Sequence, residues 1–414
     1  MSKAEVEPFP WCGGAATLCC RQRLEFLDDA AWQFCTFLCV RLRAYCTRLV
    51  FGVLPVLGCA GADQQPDRDS LNTKVAEALA PIRERASLPA LAGAIATADG
   101  VLASGVVGVR KSGSGVNATL EDEWHLGSDT KAMTATLIGL LIDDGKLRFE
   151  SAIADEFPDL APKLPEAIRK ITVEQLLAHR AALPWEADWG PLSAHGSLME
   201  QRVATVLAAG SAVLVATPGA SFNYSNWDYV ILGAIAERIT GRPWEELMRQ
   251  RIFAPLKMEH AGFGGTGTHG AIDQPWPHVN GIPLSSNGPE IDFRAVMAPA
   301  AGVHCPIGDW AKFTINELKG LRGEPGLLSP ETFKRLHTPA FGGDYAGGWN
   351  VVQRDWAKGT AYTHGGTNNM NYSIAWIAPR RDVVFLVCTN EGQAFTPCDE
   401  AVHALLNIYD SMTR

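Results

Sequence analysis

The chain has 414 residues, 47% of them hydrophobic and 20% charged, with a formal net charge of −9, a balance that suits a globular protein with a large core. The acidic excess argues against nucleic-acid binding, which needs a basic stripe to meet phosphates, and no run of about 18 apolar residues is present to form a transmembrane helix. The ten cysteines do not build a disulfide scaffold, because all but Cys305, Cys388 and Cys398 crowd ahead of Ala60.

That N-terminal cysteine cluster lacks Cys-x-x-Cys spacing and histidine, which argues against zinc. Arg41, Arg43 and Arg48 precede an apolar run from Leu49 to Leu57, then Gly58-Cys59-Ala60 and a polar stretch from Asp63 to Ser70. A basic flank, a short apolar core and small residues form the anatomy of an export signal. Leu57-Gly58-Cys59 resembles the lipobox of bacterial lipoproteins, which implies a lipid anchor at Cys59, a translation start near Val40 and an exported, periplasmic or membrane-anchored protein. If the pattern is accidental, the segment is a buried helix and the protein is cytoplasmic. Residues 1–70 are read as this export segment and linker, ahead of one domain over 71–414.

Apolar residues at Leu71, Val75, Ala78, Leu79 and Ile82 recur at the helical period. Leu91 to Thr97 and Val101 to Val109 are β-rich runs divided by Asp99-Gly100, a hairpin signal. A long apolar helix opens at Leu126-Gly127-Ser128-Asp129-Thr130-Lys131 and ends at Asp143-Asp144-Gly145, where the glycine suits the position after the cap. From Ile153 to Arg294 the pattern changes to short helices broken by Pro and Gly. Thr172 and Gln175 form a capping box, a helix runs from Trp227 to Thr240 and closes at Gly241 and Pro243, and the Gly- and Pro-rich stretch 262–289 reads as a surface loop. After a helix at Asp309 to Leu318, strands are expected at Gly348 to Val352, Asn371 to Ile377 and Val383 to Thr389, then a helix from Cys398 to Tyr409. Strands at both ends of the chain must find one another. The predicted fold is α+β, a mainly antiparallel sheet flanked by helices (body 71–150 and 295–414) with an inserted, mostly helical lobe over 151–294.

Three stretches carry candidate chemistry. Ser128 and Lys131 share one helix face at spacing i, i+3, which pairs a nucleophile with a base that desolvation can activate; no other Ser-x-x-Lys occurs in the chain. Tyr224, in Asn223-Tyr224-Ser225-Asn226, lies in a loop ahead of the Trp227 helix, and a neighbouring cation such as Lys131 would favour its phenolate. His364-Gly365-Gly366-Thr367 places paired glycines beside a strand, where a ligand can approach backbone N–H groups closely. Trp185, Trp189, Trp227, Trp276 and Trp349 are candidates for cleft-lining aromatics, although such residues are more often packed in cores.

Ser-x-x-Lys, Tyr-x-Asn and His-x-Gly in this order resemble the serine β-lactamase and penicillin-binding-protein superfamily. The tyrosine in the second motif is similar to the branch of class C β-lactamases, related DD-peptidases and family VIII carboxylesterases. The resemblance runs from about Ala76 to Met412 and includes Asp144-Gly-Lys-Leu147, Ile171-Thr-Val-Glu-Gln-Leu-Leu177, Pro218-Gly219 and Thr389-Asn390. It implies a serine hydrolase domain over 71–414 that works through a covalent acyl-enzyme without metal or other cofactor. Ser128 would be the nucleophile, Lys131 and Tyr224 the proton-transfer pair, and Asn226 a partner of the substrate or of Lys131. The backbone N–H groups of Ser128 and Thr367 would form the oxyanion hole. His364 stands where the β-lactamases carry lysine, which weakens β-lactamase activity against a carboxylesterase-type one.

The substrates implied are small esters, D-amino-acid peptides or β-lactams. A class C-like β-lactamase or DD-peptidase is the alternative enzyme, and an acylatable sensor of peptidoglycan or β-lactam is the non-enzymatic alternative. An α/β-hydrolase is excluded by the absence of Gly-x-Ser-x-Gly, and the ten histidines lack the spacing of a metal hydrolase.

Overall fold

The computed structural model describes residues 68–284 and 288–413; the export pattern at 41–59 and Cys59 lie outside the described residues. Helix α1 (Arg68–Arg85) buries Leu71, Val75, Leu79 and Ile82 along one stripe. Strands β1 (Ala90–Thr97) and β2 (Gly100–Gly108) form a hairpin in which Thr97 pairs with Gly100. The turn is thus Ala98-Asp99, and Gly100, at φ +141°, begins the second strand. A 3₁₀ turn, Gly127–Asp129, leads into α2 (Thr130–Asp143).

Between α2 and the later strands the chain is mostly helical. In α3 (Val173–Leu177) the Thr172 and Gln175 side chains cap one another's backbone N–H groups, an arrangement worth about 1 kcal/mol. Arg202 on α4 (Leu198–Ala209) is buried and bonds Glu237 on α5 (Asn226–Thr240), Glu245 and the carbonyls of Ala295 and Val296. Removing any partner of such a buried charge leaves the rest uncompensated, so the cluster fixes how these helices dock.

The chain then returns to the body through α6 (Ile307–Leu321), the short β3 (Tyr345–Ala346), β4 (Trp349–Arg354), β5 (Gly359–Thr367), β6 (Tyr372–Ala378), β7 (Val383–Thr389) and α7 (Phe395–Met412). The seven strands form one antiparallel sheet in the order β2-β1-β7-β6-β5-β4-β3. Helices cover both faces. Leu91, Ile95, Phe385 and Val387 pack with α1 and α7, whereas Ala92, Ala94, Leu386 and Cys388 pack on the other side with α2, α5 and α6. Small residues on the second face of β1 let α6 lie close, and β7 is buried along its whole length. The expected α+β architecture is found.

Two local expectations are refined. His364-Gly365-Gly366-Thr367 does come just before the strand β6, but it also ends a strand of its own, β5, which the composition hides because glycine and threonine give no alternation, while ladders to β4 and β6 supply the order. The 262–289 stretch does not simply loop over the surface. Trp276 and His278 are buried, the Trp276 N–H donates to the Arg110 carbonyl, and the His278 ring bonds the Asn390 carbonyl.

Candidate active site

Ser128 lies in the 3₁₀ turn ahead of α2 rather than on the helix proper, and the tighter turn eclipses residues three apart. Lys131 Nζ donates to Ser128 Oγ at 3.0 Å, to Asn226 Oδ1 at 2.7 Å and to the Ala300 carbonyl at 2.9 Å. Lys131 is 0% exposed. Burial lowers its pKa to about 7. In the amine form its two hydrogens meet two fixed acceptors, Asn226 Oδ1 and Ala300 O, which leaves the lone pair for the Ser128 hydroxyl.

Those acceptors are held from outside. The Asn226 amide donates to Glu186 Oε1, which turns its oxygen toward Lys131, and Glu186 Oε2 accepts from Trp189 Nε1. The short helix Ala298–Ala301 hangs from α2, with Thr134 Oγ1 donating to Pro299 O and the Val303 N–H to Thr130 Oγ1.

Tyr224 arrives on the loop before α5 and donates from its hydroxyl to Ser128 Oγ at 2.7 Å. Burial raises its pKa above the ordinary phenol value, so it rests protonated. Of the two groups touching Ser128, Lys131 is the one that releases a proton near neutrality.

The end of β5 crosses the nucleophile's turn. Pairing of β5 with β4 stops at Thr363–Asn350, and beyond it the strand edge meets residues 126–129. A Cβ on Gly366 would sit 1.9 Å from Leu126 O and 2.8 Å from Ser128 N, and one on Gly127, at φ +50°, would sit 2.3 Å from Thr367 N. Only glycine permits this approach, and it brings the Gly366–Thr367 backbone against that of Gly127 and Ser128.

The turn is fastened below by Ser373, whose hydroxyl reaches Leu126 O and Asp129 Oδ2. A carbonyl only accepts, so the one Ser373 hydrogen goes to Leu126 and the Asp129 carboxyl donates to Ser373. Burial pushes the Asp129 pKa well up, in agreement. At the side, the Gly127 N–H donates to His125 Nδ1, and Asn368 Nδ2 donates to Asp292 Oδ1 at 3.0 Å. His125 Nε2 lies 2.9 Å from the same oxygen.

His364 is buried on β5, with Nε2 3.2 Å from Tyr345 Oη and Nδ1 3.7 Å from Asp129 Oδ1. Burial, then the charge of Lys131, lowers its pKa to about 3, and it stays neutral. The cleft has a volume of about 350 Å³ and is lined by Ser128, Trp185, Glu186, Phe222, Tyr224, Asn226, Phe293, Ala301, Tyr345, Asn350, His364, Gly365, Thr367 and Asn369. Among the described residues its wall carries no Lys or Arg. A larger cavity of about 660 Å³, between Gly320, Phe333 and Tyr362, holds none of these groups.

The structure thus brings Ser128, Lys131, Tyr224, Asn226 and His364 to Thr367 together. Of the five tryptophans, only Trp185 lines the cleft, at 64% exposed; Trp189, Trp227, Trp276 and Trp349 are buried. The sequence reading missed Glu186, Asp129, Tyr345 and the Ala300 carbonyl, which come from a loop, a 3₁₀ turn, a two-residue strand and a four-residue helix, all too short to give a periodic signal. Among the described residues no group of three or more His, Cys, Asp or Glu side chains is arranged to hold a metal ion.

A family model described as Beta-lactamase matches residues 75–406. Penicillin-binding protein 4 of Amycolatopsis lactamdurans is 27% identical over 313 residues, covering 72% of this chain and 79% of that one; of a curated Staphylococcus aureus relative the chain spans only 55% of the length. Among solved structures, the octameric penicillin-binding protein homologue from Pyrococcus abyssi superposes with a TM-score of 0.67 at 20% identity, over 82% of this chain and 77% of that one. D-amino acid amidase from Ochrobactrum anthropi SV3 superposes with a TM-score of 0.65 at 20% identity, over 82% and 99%.

Proposed function

The chain belongs to the beta-lactamase family, and from that premise we propose that it is a serine hydrolase of the carboxylesterase type, acting through an acyl-enzyme on small uncharged esters. The observation that carries this reading is Ser128 Oγ held between Lys131 Nζ and Tyr224 Oη in a cleft without a cationic wall. Lys131, as the amine, takes the hydroxyl proton while Ser128 Oγ bonds to the carbonyl carbon. The carbonyl electrons move onto oxygen, where the N–H groups of Ser128 and Thr367 receive them. Collapse expels the alcohol, protonated from Lys131 through Tyr224. Water, deprotonated by the same pair, then releases the acid and restores Ser128.

The neutral His364 separates this reading from a β-lactamase. A β-lactam presents a carboxylate, which a permanent cation at that position would meet and an uncharged imidazole does not. Assay of a short-chain p-nitrophenyl ester beside a chromogenic cephalosporin tests the proposal. Ester turnover with slow or absent cephalosporin turnover is expected, and rapid cephalosporin hydrolysis would move the assignment to β-lactamase. Acylation without release would mark a sensor.

The crossing of β5 over the nucleophile's turn gives a second test. Gly366→Ala inserts a methyl group where Leu126 O already lies, so the strand must move and carry the Thr367 N–H with it. Loss of one oxyanion donor lowers kcat by about 100- to 1,000-fold, and that is the expected result in steady-state ester hydrolysis; unchanged kcat would remove Thr367 from the oxyanion hole.

A further inference from the structure

One histidine grips the loop that carries Tyr224. His179 sits at φ +52°, a left-handed conformation that a non-glycine residue holds only where its surroundings over-determine it. Its carbonyl accepts the Asn223 N–H at 2.8 Å, its ring packs on the Tyr224 ring at 4.4 Å between centroids, and its Nδ1 accepts the Ser225 N–H at 3.3 Å. Three consecutive residues are thus tied to one side chain and its backbone. The ring is fully buried, and Tyr229, Tyr345 and Phe222 enclose it.

The same Nδ1 lies 2.7 Å from Asp228 Oδ2, on the first turn of α5. The Ser225 N–H can only donate, so Nδ1 carries its one lone pair and the ring hydrogen sits on Nε2; that lone pair is shared between the Ser225 N–H at 3.3 Å and the Asp228 carboxyl hydrogen at 2.7 Å. His179 Nε2 and Asp228 Oδ1 have no hydrogen-bond partner, and an ionised pair would leave its charges unsolvated there. Burial acts in the same sense, pushing His179 well below and Asp228 well above their ordinary pKa values.

We infer that His179 and a protonated Asp228 form a neutral clamp that positions the Tyr224 hydroxyl on Ser128 and, by keeping a negative charge away from Lys131, holds that lysine as an amine. The inference rests on the hydrolase reading above. The charged and titratable groups that face the pair are Lys131 from α2, His364 from β5, and Tyr224, Tyr229 and Tyr345; Lys131 is faced in turn by Glu186 and Asp129.

The discriminating variant is Asp228→Asn, because an amide N–H donates to His179 Nδ1 as the carboxyl does. It is expected to keep ester turnover close to wild type, with the acid limb of kcat/KM unmoved. Asp228→Ala and His179→Phe, which lose the donor and the ring nitrogen, are expected to lower kcat by about 10- to 100-fold through misplacement of Tyr224, with KM little changed and the fold checked by circular dichroism. If Asp228→Asn instead moved the acid limb down by about one pH unit or more, Asp228 would be an ionised counter-charge and the clamp would be overturned; full kcat in His179→Phe would overturn it too. The infrared difference spectrum between wild type and Asp228→Asn, in which the carboxylic acid of Asp129 cancels, should show the carbonyl band of a protonated Asp228 and reads that proton without any turnover. A wild type that shows this band but no Ser128-dependent hydrolysis would therefore refute the hydrolase reading alone, and absence of the band would refute the clamp alone.

Discussion

Ser128→Ala is expected to abolish ester turnover, by on the order of a millionfold. The size of the effect follows from the cleft, whose described residues offer no substitute nucleophile. Its other hydroxyls are the two tyrosines, which burial keeps protonated, and Thr367, whose Oγ1 donates to the Asn371 carbonyl and accepts from the Asn369 N–H. The described cysteines, Cys305, Cys388 and Cys398, are buried in the core. Initial-rate ester hydrolysis, with mass spectrometry of the stalled acyl adduct, checks both halves of the expectation. The adduct should appear in the wild type on Ser128 and vanish with the hydroxyl. Turnover that survived the substitution would place the chemistry elsewhere in the molecule.

Lys131→Met is expected to lower kcat/KM by about 100- to 10,000-fold, the usual span for removing a general base. The methionine fills the same volume but cannot take the Ser128 proton. In the wild type, kcat/KM for an uncharged ester should rise with pH through about 7, where Lys131 becomes an amine, and this acid limb should disappear in the variant. The same group predicts a stability effect that does not depend on catalysis. Its pKa falls from 10.5 when exposed to about 7 when folded. Below pH 7 both states hold the proton and the full cost of burying an ammonium applies. Between pH 7 and 10.5 the unfolded chain holds a proton that the folded one has lost, so wild-type stability should rise relative to Lys131→Met, by on the order of 5 kcal/mol in total. Chemical denaturation of both proteins across that range measures it. A difference that stayed flat would mean that Lys131 remains an ammonium in the folded state.

The parts legible in the sequence were those with a local pattern. Ser128 and Lys131 could be paired because three residues of helix fix their proximity, and Thr172 with Gln175 because a capping box is written in four residues. The β1–β2 hairpin, α5 and β7 declared themselves by turn chemistry and apolar runs. The order of Tyr224 and His364 behind Ser128 could be read only through resemblance, since nothing local brings a loop and a strand end to a serine about 100 and 240 residues away. Strand β5 was illegible because Gly365, Gly366 and Thr367 serve a close crossing rather than a pleated face. Glu186 and His179 were illegible for another reason: each acts through a neighbour, one through the Asn226 amide and the other through the Tyr224 ring. The buried tryptophans show the opposite error, in which composition offers more cleft candidates than geometry accepts.

The central pairing of the sheet has a consequence for how the molecule is made. Strand β1 lies against β7 in a register that joins Leu91 to Thr389, and the Ala90 N–H donates to the Asn390 side chain. Almost 300 residues of loop must close before this contact rewards its entropy, which is the signature of a slow folder. The first hairpin leaves the ribosome with one edge unpaired, and the Ser128 turn waits for Ser373 and Gly366 to fix its geometry. Acquisition of nucleophilic Ser128 should therefore be a late event in biogenesis, coincident with arrival of the last strand. Until then the exposed apolar edge of β1 is a natural client for chaperones.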